Sequence, residues 1–246
     1  MQQRPTAIVT GAAKGIGRAI CERLLNDGFY IVAVDLDKDG CRQLAADAGP
    51  DNLDFVIADI SQEAQVADLF RTVADQRGRI DAVVNNAGII RDNMIWRMEL
   101  EDFETVIDIN LKGTWLMCRE AARIMKEQQG GRIVNIASRA WLGNRGQSNY
   151  SAYKAGVVAL TRVLALELGK FNVAVNAVAP GLIDTPLTQK LEKDVLAKLI
   201  EAQPTRTMGT PQDVAHAVAF LASSHTHFIT GQTLYVDGGK SIGANM

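Results

Sequence analysis

Seven short runs rich in valine, isoleucine and alanine, separated by stretches of helical character, leave this chain few architectures. The runs are TAIVT (6–10), YIVAVD (30–35), LDFVIAD (53–59), IDAVVNNAG (80–88), RIVNIAS (132–138), VAVNAVAP (173–180) and QTLYVDGG (232–239). Most are nearly continuously apolar instead of alternating, the pattern of strands covered on both faces and hence of a parallel sheet. Between them, 17–27, 37–47, 62–77, 101–128, 150–170 and 212–223 read as helices. Strand alternating with helix gives a doubly wound α/β fold. One domain over 1–246 is expected, with a mostly parallel, seven-stranded sheet and helices on both faces. With 246 residues, 47% of them apolar, the chain can bury one large core. Residues 182–209, LIDTPLTQKLEKDVLAKLIEAQPTRTMG, are charged, partly helical and bounded by prolines. They read as an excursion from the sheet, of the kind that covers sites.

Helix starts have local causes. Ser61 can cap a helix beginning at Gln62, and Thr210-Pro211-Gln212-Asp213 carries a cap, a first-turn proline and a capping-box carboxylate. The balance of 26 basic against 28 acidic residues gives no support for a nucleic-acid or anionic-membrane partner. No apolar run reaches the roughly 18 residues of a membrane span, and MQQRPTAIVTGAAKGIG lacks the tripartite pattern of a secretory signal. A soluble, cytoplasmic protein is expected. Cys21, Cys41 and Cys118 lie far apart, as free thiols in a reducing compartment do. His225 and His227 are two apart and His216 is isolated, so no metal site is expected.

Thr10 to Gly17, TGAAKGIG, follows the first strand and opens a helix. Gly11, Gly15 and Gly17 permit a tight turn and close backbone approach, leaving helix-start N–H groups free for a pyrophosphate. The spacing is TGxxxGxG, not the common GxGxxG. Asp35 ends the second strand, where a carboxylate can accept hydrogen bonds from an adenosine ribose and repel a 2′-phosphate. Lys14 argues mildly the other way; the balance favours NAD over NADP. Asp37 reads as a turn residue.

NYSAYK (149–154) sets two tyrosines beside one lysine. Tyr150 and Lys154, four apart on a helix, share a face. A phenol with an ordinary pKa near 10 is a poor base at neutral pH, and a neighbouring ammonium favours the phenolate. Ser138, ending a strand just before the helix, can hold a substrate carbonyl or alkoxide oxygen. Tyr153 points about 100° away and is expected to fill packing or an interface.

Together, TGAAKGIG, NNAG at 85–88, Asn110, Ser138, the Tyr150…Lys154 spacing and PG at 180–181 resemble the short-chain dehydrogenase/reductase family over essentially the whole chain. The resemblance implies a Rossmann-like fold binding its cofactor through the 11–17 turn (Gly11, Lys14, Gly15, Ile16, Gly17), Asp35, Asp59 and Ile60 near the adenine, and Asn86, Ala87 and Gly88. It also places Pro180, Gly181, Ile183 and Thr185 beside the nicotinamide. It implies that Tyr150 transfers the proton, Lys154 binds ribose hydroxyls and tunes Tyr150, Ser138 orients the substrate oxygen, and Asn110 holds a bent helix and a relay water. The long helices 101–128 and 150–170 resemble those that pair subunits, usually into homotetramers.

Ser138 and Tyr150 are 12 positions apart, often one more in the family, so RAWLGNRGQSN reads as a shortened loop. Within it Arg139, Trp141 and Arg145 are candidates to guide an anionic or aromatic substrate. AGIIRDNMIWRMELEDF (87–103) and DINLKGTW (108–115) resemble the β-ketoacyl-carrier-protein reductase branch. The expected activity is NAD(H)-dependent interconversion of a secondary alcohol and a ketone, on 3-oxoacyl thioesters or cyclic or aromatic ketones. The alternatives are an NADPH-dependent 3-oxoacyl-carrier-protein reductase and a non-catalytic nucleotide-binding module.

Overall fold

The computed structural model describes residues 4–242; residues 1–3 and 243–246, the ends of the expected 1–246 domain, lie outside the described residues. Seven strands form one sheet: β1 (Thr6–Thr10), β2 (Tyr30–Asp35), β3 (Leu53–Ile57), β4 (Ala82–Asn85), β5 (Gly131–Ile136), β6 (Val173–Pro180) and β7 (Thr233–Val236). Their order is β3-β2-β1-β4-β5-β6-β7, and every pairing is parallel. The continuous apolar runs follow from that placement. Strands β1, β4, β5 and β6 are buried at every position, while β3 and β7, with a neighbour on one side only, are partly open.

Helices α1 (Gly15–Asn26), α2 (Lys38–Ala48) and α8 (Pro211–Ala222) bury one sheet face around Ile20, Leu24, Leu44 and Val218. Helices α3 (Glu63–Arg77), α5 (Gly113–Gln128) and α6 (Ser148–Leu168) cover the other around Leu69, Phe70, Met117 and Leu164. Strand order reverses between β1 and β4, and the crevice beyond the carboxyl ends of these strands is where open α/β sheets take their ligands.

Thr210 Oγ1 accepts from Asp213 N (3.2 Å) and Asp213 Oδ2 from Thr210 N (2.7 Å), the expected capping box with Pro211 in the first turn. Ser61 does not cap: α3 begins one residue later, behind Gln62, and the Ser61 hydroxyl donates to Asp59 Oδ1 at 2.8 Å. A closer, ionised acceptor wins the hydroxyl. The stretch 101–128 is not one regular helix. It is α4 (Leu100–Val106), a π-helical turn over Ile107–Lys112, and α5. The 182–209 excursion carries a 3-10 turn at Thr188–Lys190 and helix α7 (Lys193–Glu201).

Candidate active site

The turn after β1 is shaped by glycine. Gly11 and Gly15 take φ of +65° and +57°, the left-handed region. At Gly17 a Cβ would meet the Gly11 carbonyl oxygen at 1.9 Å, so only glycine admits this approach of α1 to the turn. Helix α1 has no side-chain cap at Lys14 and no acidic residue in its first turn. Its leading N–H groups and positive dipole end therefore face the turn without competition, which suits a dinucleotide diphosphate. Above the turn there is room: a Cβ at Gly15 would touch only Thr185 Cγ2, at 4.0 Å. Ile16 packs sideways against the core.

The segment after β4 locks the turn in place. Thr10 Oγ1 accepts from Asn86 N (3.0 Å) and Ala87 N (3.1 Å), and Asn86 Nδ2 donates to the carbonyls of Thr10 and Gly11, both at 3.0 Å. The Asn86 amide is thereby committed to the turn, a role its sequence position did not reveal. Asp35 Oδ2 accepts from Ala13 N and Oδ1 from Asp37 N, both at 3.0 Å, which fixes the carboxylate at the end of β2. Lys14 stands exposed with its Nζ 3.7 Å from Asp37, and Asp37 caps α2 through Gly40 N. Lys14 thus meets a carboxylate on the same rim. Asp59 Oδ1 accepts from Ser61 N and Oγ. The Ile60 side chain is buried, where a Cβ on Gly113 would come within 2.9 Å of it. Any contact of Ile60 with a cofactor is therefore left to its backbone.

Gly181 follows Pro180 at the end of β6, and a Cβ there would lie 2.7 Å from Asp237 Cα. Ile183 is buried in the core, whereas Thr185 is half-buried and pairs with Thr188. Thr188 Oγ1 also donates to Ile183 O at 2.7 Å, so this start of the excursion is ordered by its own hydroxyls.

On the β5–α6 side, Ser138, Tyr150 and Lys154 converge. Ser138 Oγ accepts from Ala140 N at 3.1 Å and contacts the Tyr150 hydroxyl. Lys154 is buried, donates to the Ile136 carbonyl, and has its Nζ 5.6 Å from the Tyr150 ring centroid. Burial pushes its pKa from 10.5 down to about 7. Burial also raises the Tyr150 phenol, against hydrogen bonds from Tyr153 and Ser138 that lower it; the Asp92 charge adds to the rise. At the phenol desolvation is the largest effect, and the two neighbouring hydroxyls are what oppose it.

Asn110, fully buried in the π turn, closes on the backbone of Ile89: Oδ1 accepts from its N–H and Nδ2 donates to its C=O, both at 2.8 Å. Its amide mimics a strand partner and holds the bend against the segment after β4. The same segment is tied to the entry of α6. Asn93 N donates to Gly146 O (2.9 Å), Gln147 Nε2 to Asp92 Oδ2 (2.6 Å) and the buried Asn149 Nδ2 to Arg91 O (2.8 Å). The sequence reading missed Asp92 and Asn149, whose spacing carries no signal, while Tyr153 is buried in packing as expected. Of the loop candidates, Trp141 donates from Nε1 to the Tyr235 hydroxyl (2.8 Å), Arg145 is exposed, and Arg139 is half-buried.

A nucleotide cradle at the switch point, beside a tyrosine, a serine and a buried lysine, defines a dinucleotide-dependent oxidoreductase. Comparison with known proteins places it further. Residues 11–241 match the family model described as enoyl-(acyl carrier protein) reductase. The chain is 42% identical over 242 residues to the (2S)-[(R)-hydroxy(phenyl)methyl]succinyl-CoA dehydrogenase subunit BbsD of Thauera aromatica, covering 98% of each. It is 39% identical to the 3-oxoacyl-[acyl-carrier-protein] reductase FabG of Thermotoga maritima, covering 96% of this chain and 97% of that one. The crystal structure of levodione reductase superposes with a TM-score of 0.94 at 33% identity, covering 98% of this chain and 99% of that one. The chain belongs to the short-chain dehydrogenase/reductase family, closely related to its 3-oxoacyl-carrier-protein reductase branch. It is an NAD(P)(H)-dependent enzyme acting on carbonyl or alcohol substrates.

Proposed function

We propose that this enzyme is NAD(H)-linked and interconverts 3-hydroxyacyl and 3-oxoacyl thioesters, with Tyr150 as general acid and base. The observation that carries the reading is the convergence of Ser138, Tyr150 and Lys154 at the crevice. The names of two relatives, a [hydroxy(phenyl)methyl]succinyl-CoA dehydrogenase subunit and a 3-oxoacyl-[acyl-carrier-protein] reductase, support the thioester. The fixed Asp35 carboxylate supports NAD: it accepts ribose hydroxyls and repels a 2′-phosphate, while Asp37 offsets the charge of Lys14.

In oxidation the Tyr150 oxygen takes the hydroxyl proton of the alcohol, and in reduction it returns that proton to the carbonyl oxygen. The nicotinamide, when bound, accepts or supplies the hydride. Ser138 Oγ accepts from Ala140 N, and its O–H, which reaches the Tyr150 oxygen, is placed to turn to a substrate oxygen lying beside both. Lys154 presents N–H donors to ribose hydroxyls and, as ammonium, favours the phenolate. Gly11, Gly15, Gly17, Asp59, Ala87, Gly88, Pro180, Gly181 and Thr185 frame the cofactor. Asn110 acts by holding the bend beside Ile89, and the 182–209 excursion covers the substrate.

A homotetramer in the cytoplasm completes the proposal. Phe103, Trp115, Val163 and Leu166 leave apolar surface on α4, α5 and α6 uncovered, which supports pairing with a second copy. The three cysteines are free and buried, as in a reducing compartment.

Paired assays with NADH and NADPH, on 3-oxoacyl thioesters and on cyclic ketones, test the reading. Expected is a clear preference for NADH and for thioesters; equal or better efficiency with NADPH overturns the cofactor assignment, and turnover of cyclic ketones alone overturns the substrate. Tyr150→Phe is expected to lower kcat by at least about a hundredfold with cofactor binding intact.

A further inference from the structure

Tyr153 has a place in the site that packing alone does not require. It is 2% exposed, wedged among Val106, Ala137, Val157 and Ala177. Its ring meets that of Tyr150 edge to face, centroids 4.9 Å apart at 82°. The Lys154 Nζ lies 4.8 Å from the Tyr153 centroid, nearer than the 5.6 Å to Tyr150. The Tyr153 hydroxyl reaches the floor of the crevice, since a Cβ on Gly88 would lie 3.3 Å from it and 3.3 Å from Asn110 Oδ1. That hydroxyl also contacts the Tyr150 hydroxyl.

The direction of this contact follows from chemistry. An ionised phenol can only accept, so a neutral partner must donate to it. Burial and the neighbouring Tyr150 hold Tyr153 well above the ordinary phenol value, so it stays protonated while Tyr150 titrates. A hydrogen bond to a charged oxygen in a desolvated site is worth more than one between neutral groups.

We propose that Tyr153 is a positioning residue for the reaction: its hydroxyl donates to the Tyr150 oxygen while its ring face supports the Lys154 ammonium, so one buried side chain holds both partners of the proton transfer. The proposal rests on the reading of Tyr150 as the acid/base. Around this pair, α6 contributes Lys154, the end of β5 Ser138, the segment after β4 Asp92, the π turn Asn110, and β7 Tyr235, which is engaged by Trp141. Of these, only Lys154 and Asp92 carry charge.

Tyr153→Phe keeps the ring and deletes the donor. The experiment records kcat/KM for alcohol oxidation across pH 5–10, the cofactor dissociation constant, and the same quantities for Tyr150→Phe. The rising limb, set by the Tyr150–Lys154 pair titrating together, is expected to move upward by about one pH unit in Tyr153→Phe. Rates near pH 7 should fall about tenfold and recover above the limb, with cofactor affinity within about twofold. A rate lowered equally at every pH, or a limb that stays in place, overturns the proposal and leaves Tyr153 as packing. Turnover retained by Tyr150→Phe rejects the acid/base reading itself, whatever Tyr153→Phe does.

Discussion

Replacing Lys154 by methionine is expected to make the ligand-free enzyme more stable at neutral pH while abolishing turnover. Lys154 is buried and donates to a single carbonyl, that of Ile136. Its folded pKa of about 7 against an ordinary 10.5 means that the fold disfavours the ammonium. That gap, about 3.5 pH units at about 1.4 kcal/mol each, corresponds to a penalty of about 4–5 kcal/mol at and below pH 7. Methionine fills the same volume without charge but orphans the Ile136 carbonyl, costing about 1–3 kcal/mol. The net expectation is a gain of about 2 kcal/mol at pH 7, or about 5 °C in Tm for a chain of this length. The pH dependence is the sharper signature. A depressed lysine leaves the unfolded chain binding more protons between 7 and 10.5, so wild-type stability rises with pH across that window. The advantage of Lys154→Met is full below pH 7, shrinks by about 1.4 kcal/mol per pH unit above it, and reverses at about pH 8.5–9. Urea unfolding of both proteins at pH 6.5, 8 and 10, without cofactor, measures it. A variant less stable than wild type at pH 6.5, or an advantage constant across all three, refutes the reasoning.

Two further outcomes follow from the site geometry. Asn110→Leu keeps the volume but strips both hydrogen bonds from the Ile89 backbone. It should cost about 2–4 kcal/mol in denaturant unfolding, with kcat falling more than cofactor affinity; a loss below about 1 kcal/mol would show that water satisfies Ile89 equally well. Gly17→Ala places a Cβ at 1.9 Å from Gly11 O, a clash that only movement of α1 away from the turn relieves. Cofactor titration should show affinity lowered by at least about a hundredfold, because the turn and helix start act together on the diphosphate; near-normal affinity would mean that the turn can be rebuilt.

Much of this arrangement was readable before any coordinates. The seven nearly continuous apolar runs needed only their composition, and they formed one parallel sheet. The Thr210–Asp213 box needed only four consecutive residues, and it formed. Ser61 failed as a cap because Asp59, two residues back, offered its hydroxyl a charged acceptor. The π turn at 107–112 was invisible in a stretch whose composition suits regular helix, because it exists to bring the Asn110 amide to Ile89, 21 positions away. Tyr153 was separated from Lys154 by an angular argument that treats the helix as isolated. In the fold, the lysine stem bends to Ile136, and its Nζ comes to lie near the Tyr153 ring.

The sequence alone determined the alternation of strands and helices, the parallel sheet, the glycine turn with Asp35 beyond it, and the four-residue spacing of Tyr150 and Lys154. All of these are short-range: they depend on periodicity, on the φ that glycine permits, and on which residues share one helical face. Only the tertiary structure decided which donors and acceptors those residues meet. It committed Asn86 to the turn, paired Lys14 with Asp37, stitched Asp92 and Asn149 across the mouth, and set Tyr153 against Tyr150. It also set the balance at the phenol. Desolvation depends on everything that excludes water from a group, and no local pattern of residues contains that sum.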